Sequence, residues 1–183
     1  MKKIILLLFI FIIVTSCKEE KLKPVVDKNL IVNGTPVQES WNSKIYFTEE
    51  GKRKAVLFAK YIRMFENPKV TLLDGVTIDF YDKNEVKTTT LTSKYGKVDD
   101  ITKNMYAIKD VVAVNDSGVT LTTEELMWRN SDRKITSDKF VKLISKTEDI
   151  QGYGFESDQG LRNYTIYNIT YSTVFSDTKK ENE

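Results

Sequence analysis

The chain has 183 residues, 28 of them Lys or Arg and 26 Asp or Glu, so its formal net charge is only +2 and it has no basic excess to track a phosphate backbone. It contains no His and a single Cys. That composition removes the usual general base of Ser and Cys hydrolases, the commonest zinc ligand and any intrachain disulfide, while the length suffices for one domain with a sizeable core.

The chain opens with Lys2 and Lys3, which account for the whole formal charge excess, followed by an unbroken apolar run of eleven residues from Ile4 to Val14. A spanning helix needs about 20 apolar residues, so this run suits a secretory signal rather than a permanent span. Its end, Val14-Thr15-Ser16-Cys17, resembles the lipobox of bacterial lipoproteins. The resemblance implies that residues 1–16 are a signal peptide and that Cys17 carries the lipid attaching the protein to a membrane. Residues 17–40 read as a tether: Lys18-Glu19-Glu20-Lys21 is charged, Pro24 stiffens, and Asn33-Gly34 and Pro36 punctuate a stretch without periodicity. Lys18-Glu19-Glu20 also resembles the short acidic signal that sends some lipoproteins to the cell surface, although a solvated charge run is the plainer reading.

Residues 41–175 are expected to form one domain. At its centre, Asp110 to Phe155 alternates short β-prone runs with turn residues. Asn115-Asp116-Ser117-Gly118 supplies hairpin chemistry between Val112 and Val114 on one side and Val119 to Thr123 on the other. Asn130-Ser131-Asp132, Ser137-Asp138 and Gly152-Tyr153-Gly154 break the later runs. A degenerate repeat underlies the pattern: Asp74 to Ile78 lies over Asp110 to Val114 at an offset of 36, Thr89 to Leu91 over Glu124 to Leu126 at 35, and Ile101-Thr102 over Ile135-Thr136 at 34. Glu49 to Phe65 is the best helix candidate, but its β-branched and aromatic content weighs against one. The expectation is therefore an all-β fold, a rolled antiparallel sheet built from degenerate strand repeats of about 35 residues, whose units cannot bury their apolar faces alone. The charged residues 176–183 are expected to be a disordered tail.

Alternation along these runs separates two faces. Val76, Ile78 and Phe80 share one side, and Val112, Val114, Val119, Leu121, Val141 and Leu143 are assigned to the same apolar surface. Such residues fill an ordinary core in most proteins; in a thin rolled sheet they could instead line a groove for an acyl chain. The carboxylates Asp99-Asp100, Glu124-Glu125 and Glu148-Asp149 are adjacent in sequence and would point to opposite faces of a strand, so none forms an acid/base dyad. Gly152-Tyr153-Gly154 lacks the strand-to-helix setting of a phosphate loop. No catalytic residue, metal ligand or cofactor is identified. Leu161 to Tyr171 is long, β-prone and free of Pro, so Tyr164, Ile166 and Asn168 are candidates for a docking edge, the alternative being an internal strand.

Three segments carry a resemblance to a known family: Gly118 to Trp128, Ile135-Thr136-Ser137-Asp138, and Ile150 to Asp158 with its glycines Gly152 and Gly154. Taken in order, over Val70 to Ile169, they resemble the LptC family, the periplasmic component of the lipopolysaccharide export ABC transporter, whose β-jellyroll is shared along the lipopolysaccharide transport bridge. Members often begin with a membrane-spanning helix; a lipobox stands in that place here. The resemblance implies an open β-jellyroll and a non-enzymatic carrier. Its partners would be lipopolysaccharide, an inner-membrane ABC transporter complex and a periplasmic jellyroll bridge protein, and its location the periplasm at the inner membrane. A β-sandwich lipoprotein of another class, at the outer membrane or cell surface and acting as a binding or structural module, stays open beside it.

Overall fold

The computed structural model describes Leu30 and residues 32–175; the signal peptide, Cys17, most of the tether and the charged tail lie outside the described residues. The chain divides into two units, Met1–Ile31 and Val32–Glu183, and the second holds the strands.

Nine strands succeed one another along it: β1 (Gln38–Glu49), β2 (Lys52–Phe65), β3 (Val70–Tyr81), β4 (Lys87–Asp99), β5 (Met105–Asn115), β6 (Thr120–Arg129), β7 (Lys134–Ile144), β8 (Glu148–Ser157) and β9 (Tyr164–Val174). They form one antiparallel meander in sequence order, with β1 and β9 as its edges among the described residues. The sheet is therefore open, an all-β roll of jellyroll type. Glu49 to Phe65 is a turn and β2, not a helix, because Ala55, Leu57 and Ala59 keep a two-residue period that buries one face. β1 begins at Gln38, three residues inside the segment assigned to the tether, and Ile101-Thr102 sits in the β4–β5 turn rather than repeating the strand position of Ile135-Thr136.

Short polar side chains build the turns. Asn115 Oδ1 accepts the backbone N–H groups of Ser117 at 3.0 Å and Val119 at 2.9 Å, and Gly118 takes the positive φ of 88° that the turn requires. Asp99 does the same for Ile101 and Thr102, each at 2.9 Å, and Asp82 for Asn84 at 2.8 Å and Val86 at 2.9 Å. These N–H groups hold both carboxyls below the usual carboxylate range.

A crease crosses the sheet. The register shifts between Thr92 and Tyr95, Ile108 and Val111, Thr123 and Met127, Ser137 and Phe140, and Gln151 and Gly152. Each shift inserts a residue that bends its strand, and together they fold the sheet over itself. Hydroxyls of buried Ser93 and Thr123 and half-buried Ser137 occupy carbonyls along this line: Ser93 Oγ donates to Tyr95 O at 2.8 Å, Thr123 Oγ1 to Phe140 O at 2.8 Å, and Ser137 Oγ to Glu125 O at 2.7 Å.

Folding over brings distant strands into one core. Leu91 on β4, Ala113 on β5, Leu121 on β6, Val141 and Leu143 on β7 and Phe155 on β8 belong to a single buried cluster, closed by Leu161 from the β8–β9 turn. Leu161 is fully buried with a φ of 51°, so it plugs the roll and does not begin the last strand as its sequence position suggested. The β8–β9 turn is held by Thr89 Oγ1 donating to Gln159 O at 3.1 Å, Asn115 Nδ2 to Gly160 O at 3.1 Å, and an Arg162–Asp116 pair at 2.8 Å. A second cluster joins Leu57, Ala59 and Ile62 of β2 to Leu73 and Val76 of β3.

Candidate functional site, an apolar cleft inside the roll

Between the two clusters the roll is not filled. A cavity of about 690 Å³ lies there, within the ~300–1,000 Å³ typical of small-molecule sites. Leu57 of β2 and Leu73, Val76, Ile78 and Phe80 of β3 form one wall, and Leu91, Met105, Leu126, Trp128 and Ile135 contribute from β4 to β7. Leu73 and Val76 differ in parity, yet both belong to one cluster, because Gly75, with a φ of 62°, turns the strand between them. At Gly96, opposite Leu73 in the β3–β4 register, an added Cβ would stand 3.1 Å from Val76 Cγ2 and 3.3 Å from Leu73 Cδ1. A side chain there would intrude on the wall.

The rim is charged and mostly basic. Lys54, Lys83, Lys97, Lys103 and Arg133 line it, against Glu49, Asp82 and Asp100. Glu49, at the end of β1, meets Arg133 of the β6–β7 turn at 3.2 Å and Lys54 at 3.6 Å, tying the two layers across the opening. Lys97 Nζ lies 5.8 Å from the centre of the Tyr106 ring. All three members of the Glu49 group are substantially exposed, so these pairs orient charge more than they hold the fold.

The residues singled out from sequence fall in different places. Val76, Ile78 and Phe80 line the cavity. Leu121, Val141 and Leu143 belong instead to the sealed core, each no more than 1% exposed, and Val119 packs against it. Val112 and Val114 require correction: Val111 and Ala113 are the inward residues of β5, so Val112 and Val114 point outward and Val114 is 40% exposed. Both parities of this run are apolar, Val111 and Ala113 as well as Val112 and Val114, so alternation alone does not reveal which pair faces in. Tyr164, Ile166 and Asn168 lie on β9, which is an edge strand; Ile166 turns into the core and Asn168 is exposed. Cys17 lies outside the described residues.

Gly152 and Gly154 have structural reasons. A Cβ on Gly152 would stand 2.3 Å from Asn168 O and 2.9 Å from Ile166 Cγ2, and Gly154 has a φ of 75°. Both shape the β8–β9 pairing. Leu57, Leu73, Met105 and Trp128 are cavity residues that sequence reasoning did not select. The alternation of Ala55, Leu57 and Ala59 was a usable signal for Leu57, whereas no periodicity marks Trp128 as facing a cavity.

The chain matches, over residues 4–172, the family described as lipopolysaccharide-assembly, LptC-related. Comparison with curated proteins gives no match.

Proposed function

The chain belongs to the LptC-related family of lipopolysaccharide-assembly proteins, components of lipopolysaccharide transport in the periplasmic cell envelope, and on that premise we propose that it is a non-enzymatic lipid carrier. Acyl chains of lipopolysaccharide occupy the cleft walled by Val76, Ile78 and Phe80, and the rim cations face its phosphates. The observation that carries this reading is the juxtaposition of an apolar cavity of about 690 Å³ with a rim dominated by Lys and Arg. Each buried CH₂ contributes about 0.8 kcal/mol. Ten of them supply about 8 kcal/mol, which the ~4–15 kcal/mol lost on association largely offsets. Such a balance gives reversible occupancy, which a carrier needs.

The protein receives lipopolysaccharide from an inner-membrane ABC transporter complex and passes it to a periplasmic jellyroll bridge protein. Two edge strands, β1 and β9, each with one neighbour among the described residues, support the handover, because edge-to-edge pairing would join two clefts into one conduit. Lipidation at Cys17 anchors the chain to the inner membrane, and residues 18–37 give it reach. Depleting the protein tests this: newly made lipopolysaccharide should accumulate at the inner membrane. Normal delivery to the outer membrane would reject the carrier role in favour of another lipoprotein class.

A further inference from the structure

One ion pair spans the mouth of the cleft. The β1–β2 hairpin makes no substantial backbone approach to β5–β9, and its apolar residues Leu57, Ala59 and Ile62 cluster with β3 rather than with the sealed core. Among the described residues, its one side-chain hydrogen bond to that opposite layer is Arg133 Nη2 donating to Glu49 Oε1 at 3.2 Å. The other carboxylate oxygen faces Lys54 Nζ at 3.6 Å. Glu49, Lys54 and Arg133 all line the cavity, so a carboxylate of the chain itself lies between two cations at the opening.

That carboxylate is replaceable. The Arg133 side chain is 69% exposed and that of Glu49 47%, and pairs so exposed are weak because water and salt screen them. A phosphate ester carries about −1.5 to −2 charge and three strong acceptor oxygens, and a guanidinium donates to two of those oxygens at once. Lys97 and Lys103, lining the same cavity, add to the attraction. A free phosphate would meet the whole cost of association with these contacts alone. One joined to a chain lying along Val76, Ile78 and Phe80 also draws on the burial of that chain.

We infer that Glu49 stands in for the ligand's head group: the phosphate ester of a bound amphiphile displaces the Glu49 carboxylate from Arg133 and Lys54, and this exchange unlatches the β1–β2 turn from the β6–β7 turn. The inference rests on the lipid-carrier reading above and names the head group and the residue it competes with. The empty cleft is thus held closed, and an occupied one is released. Removing Glu49 strengthens the binding of a phosphate amphiphile, the reverse of what the loss of a favourable contact does.

The test uses the whole protein without its signal peptide, with Cys17→Ser, and takes dodecyl phosphate and dodecyl maltoside below micelle formation as probes. The first readout is the ratio of their affinities. Glu49→Gln should shift it about two- to fivefold toward the phosphate, and Arg133→Gln should shift it at least as far the other way. Asp138→Asn adds the same charge outside the cavity and should keep the wild-type ratio. The second readout is the distance between spin labels at Lys52→Cys and Ser131→Cys, one in each turn. It should lengthen with dodecyl phosphate, stay short with dodecyl maltoside, and be long without any ligand once Glu49→Gln is added. The labelled protein with Glu49 in place decides the matter if Glu49→Gln fails to fold. A ratio in Glu49→Gln no higher than in Asp138→Asn, or a distance unmoved by dodecyl phosphate, overturns the exchange and leaves the carrier reading intact. Failure of wild type to bind either probe overturns both. Inorganic phosphate at the concentration that half-saturates dodecyl phosphate binding should leave the distance short; lengthening would overturn the amphiphile as the source of the phosphate.

Discussion

Replacing Gly152 by Ala should loosen the last strand from the roll. The added methyl would stand 2.3 Å from Asn168 O and 2.9 Å from Asn168 C, both backbone atoms, so no side-chain rotation makes room. β9 would have to move by more than half an ångström at Asn168, across the register that pairs Gly152 with Ile169 and Tyr153 with Asn168. Overpacking of this kind costs about 1–3 kcal/mol, and a lost backbone hydrogen bond adds about 1 kcal/mol, so we expect a loss of roughly 3 kcal/mol. At about 2–4 °C per kcal/mol for a chain of this size, Tm should fall by roughly 6–12 °C. Urea denaturation gives the free energy, and amide hydrogen exchange locates it: Ile166 to Ile169 should lose protection while Leu121 to Leu126 keeps it. Gly51→Ala serves as the comparison, since its Cβ meets nothing within 4 Å and only its φ of 74° opposes the change. A Gly152→Ala protein within 0.5 kcal/mol of wild type would refute the close approach of β9 to Gly152.

Further outcomes follow from burial and charge. Leu143→Ala, at a fully buried site, should cost about 2–5 kcal/mol in urea denaturation, whereas Val114→Ala, 40% exposed, should stay within ~0.5 kcal/mol; reversal would overturn the face assignment of β5. The Asp82, Asp99, Asp132 and Glu156 carboxyls are all held low, Glu156 by Lys134 first and then Arg129. Groups depressed in the folded state stabilise it above their unfolded pKa and lose that contribution as pH falls through the folded value, so stability should drop below about pH 4. Asp99→Asn should flatten that acid slope, and an unchanged slope would exclude it as a contributor. Burial and the Glu148 carboxylate push the Tyr164 hydroxyl up to about 12, and a hydrogen bond to Glu39 raises Tyr61 as well, so ultraviolet titration should show late-titrating tyrosine absorbance, part of which Tyr164→Phe removes. Cys17→Ala should release a soluble, unlipidated protein, and its retention on membranes after a carbonate wash would contradict the anchor.

Much of the architecture was legible because antiparallel hairpins announce themselves locally. Asn115 to Gly118 and the β-prone runs on either side depend only on turn chemistry and a two-residue period, and β5 and β6 follow from them. The crease was not legible. Its bulges arise from how neighbouring strands register, and in β5 Val111 and Ala113 are apolar like Val112 and Val114, so the alternation did not decide which pair faces in. Sequence also could not separate cavity from core. Ile78 and Leu121 present the same alternation, yet the folding-over seals Leu121 and leaves Ile78 on the cavity wall. Leu161 shows the same limit, since a turn residue becomes a core plug only through contacts far along the chain.

Site-specific photocrosslinking in cells tests the carrier claim most directly. A photoreactive residue at Ile78, on the cavity wall, should label lipopolysaccharide, whereas one at Thr77, facing the other side of β3, should not. Equal labelling from Ile78 and Thr77, or labelling from neither, would contradict lipid carriage inside the roll.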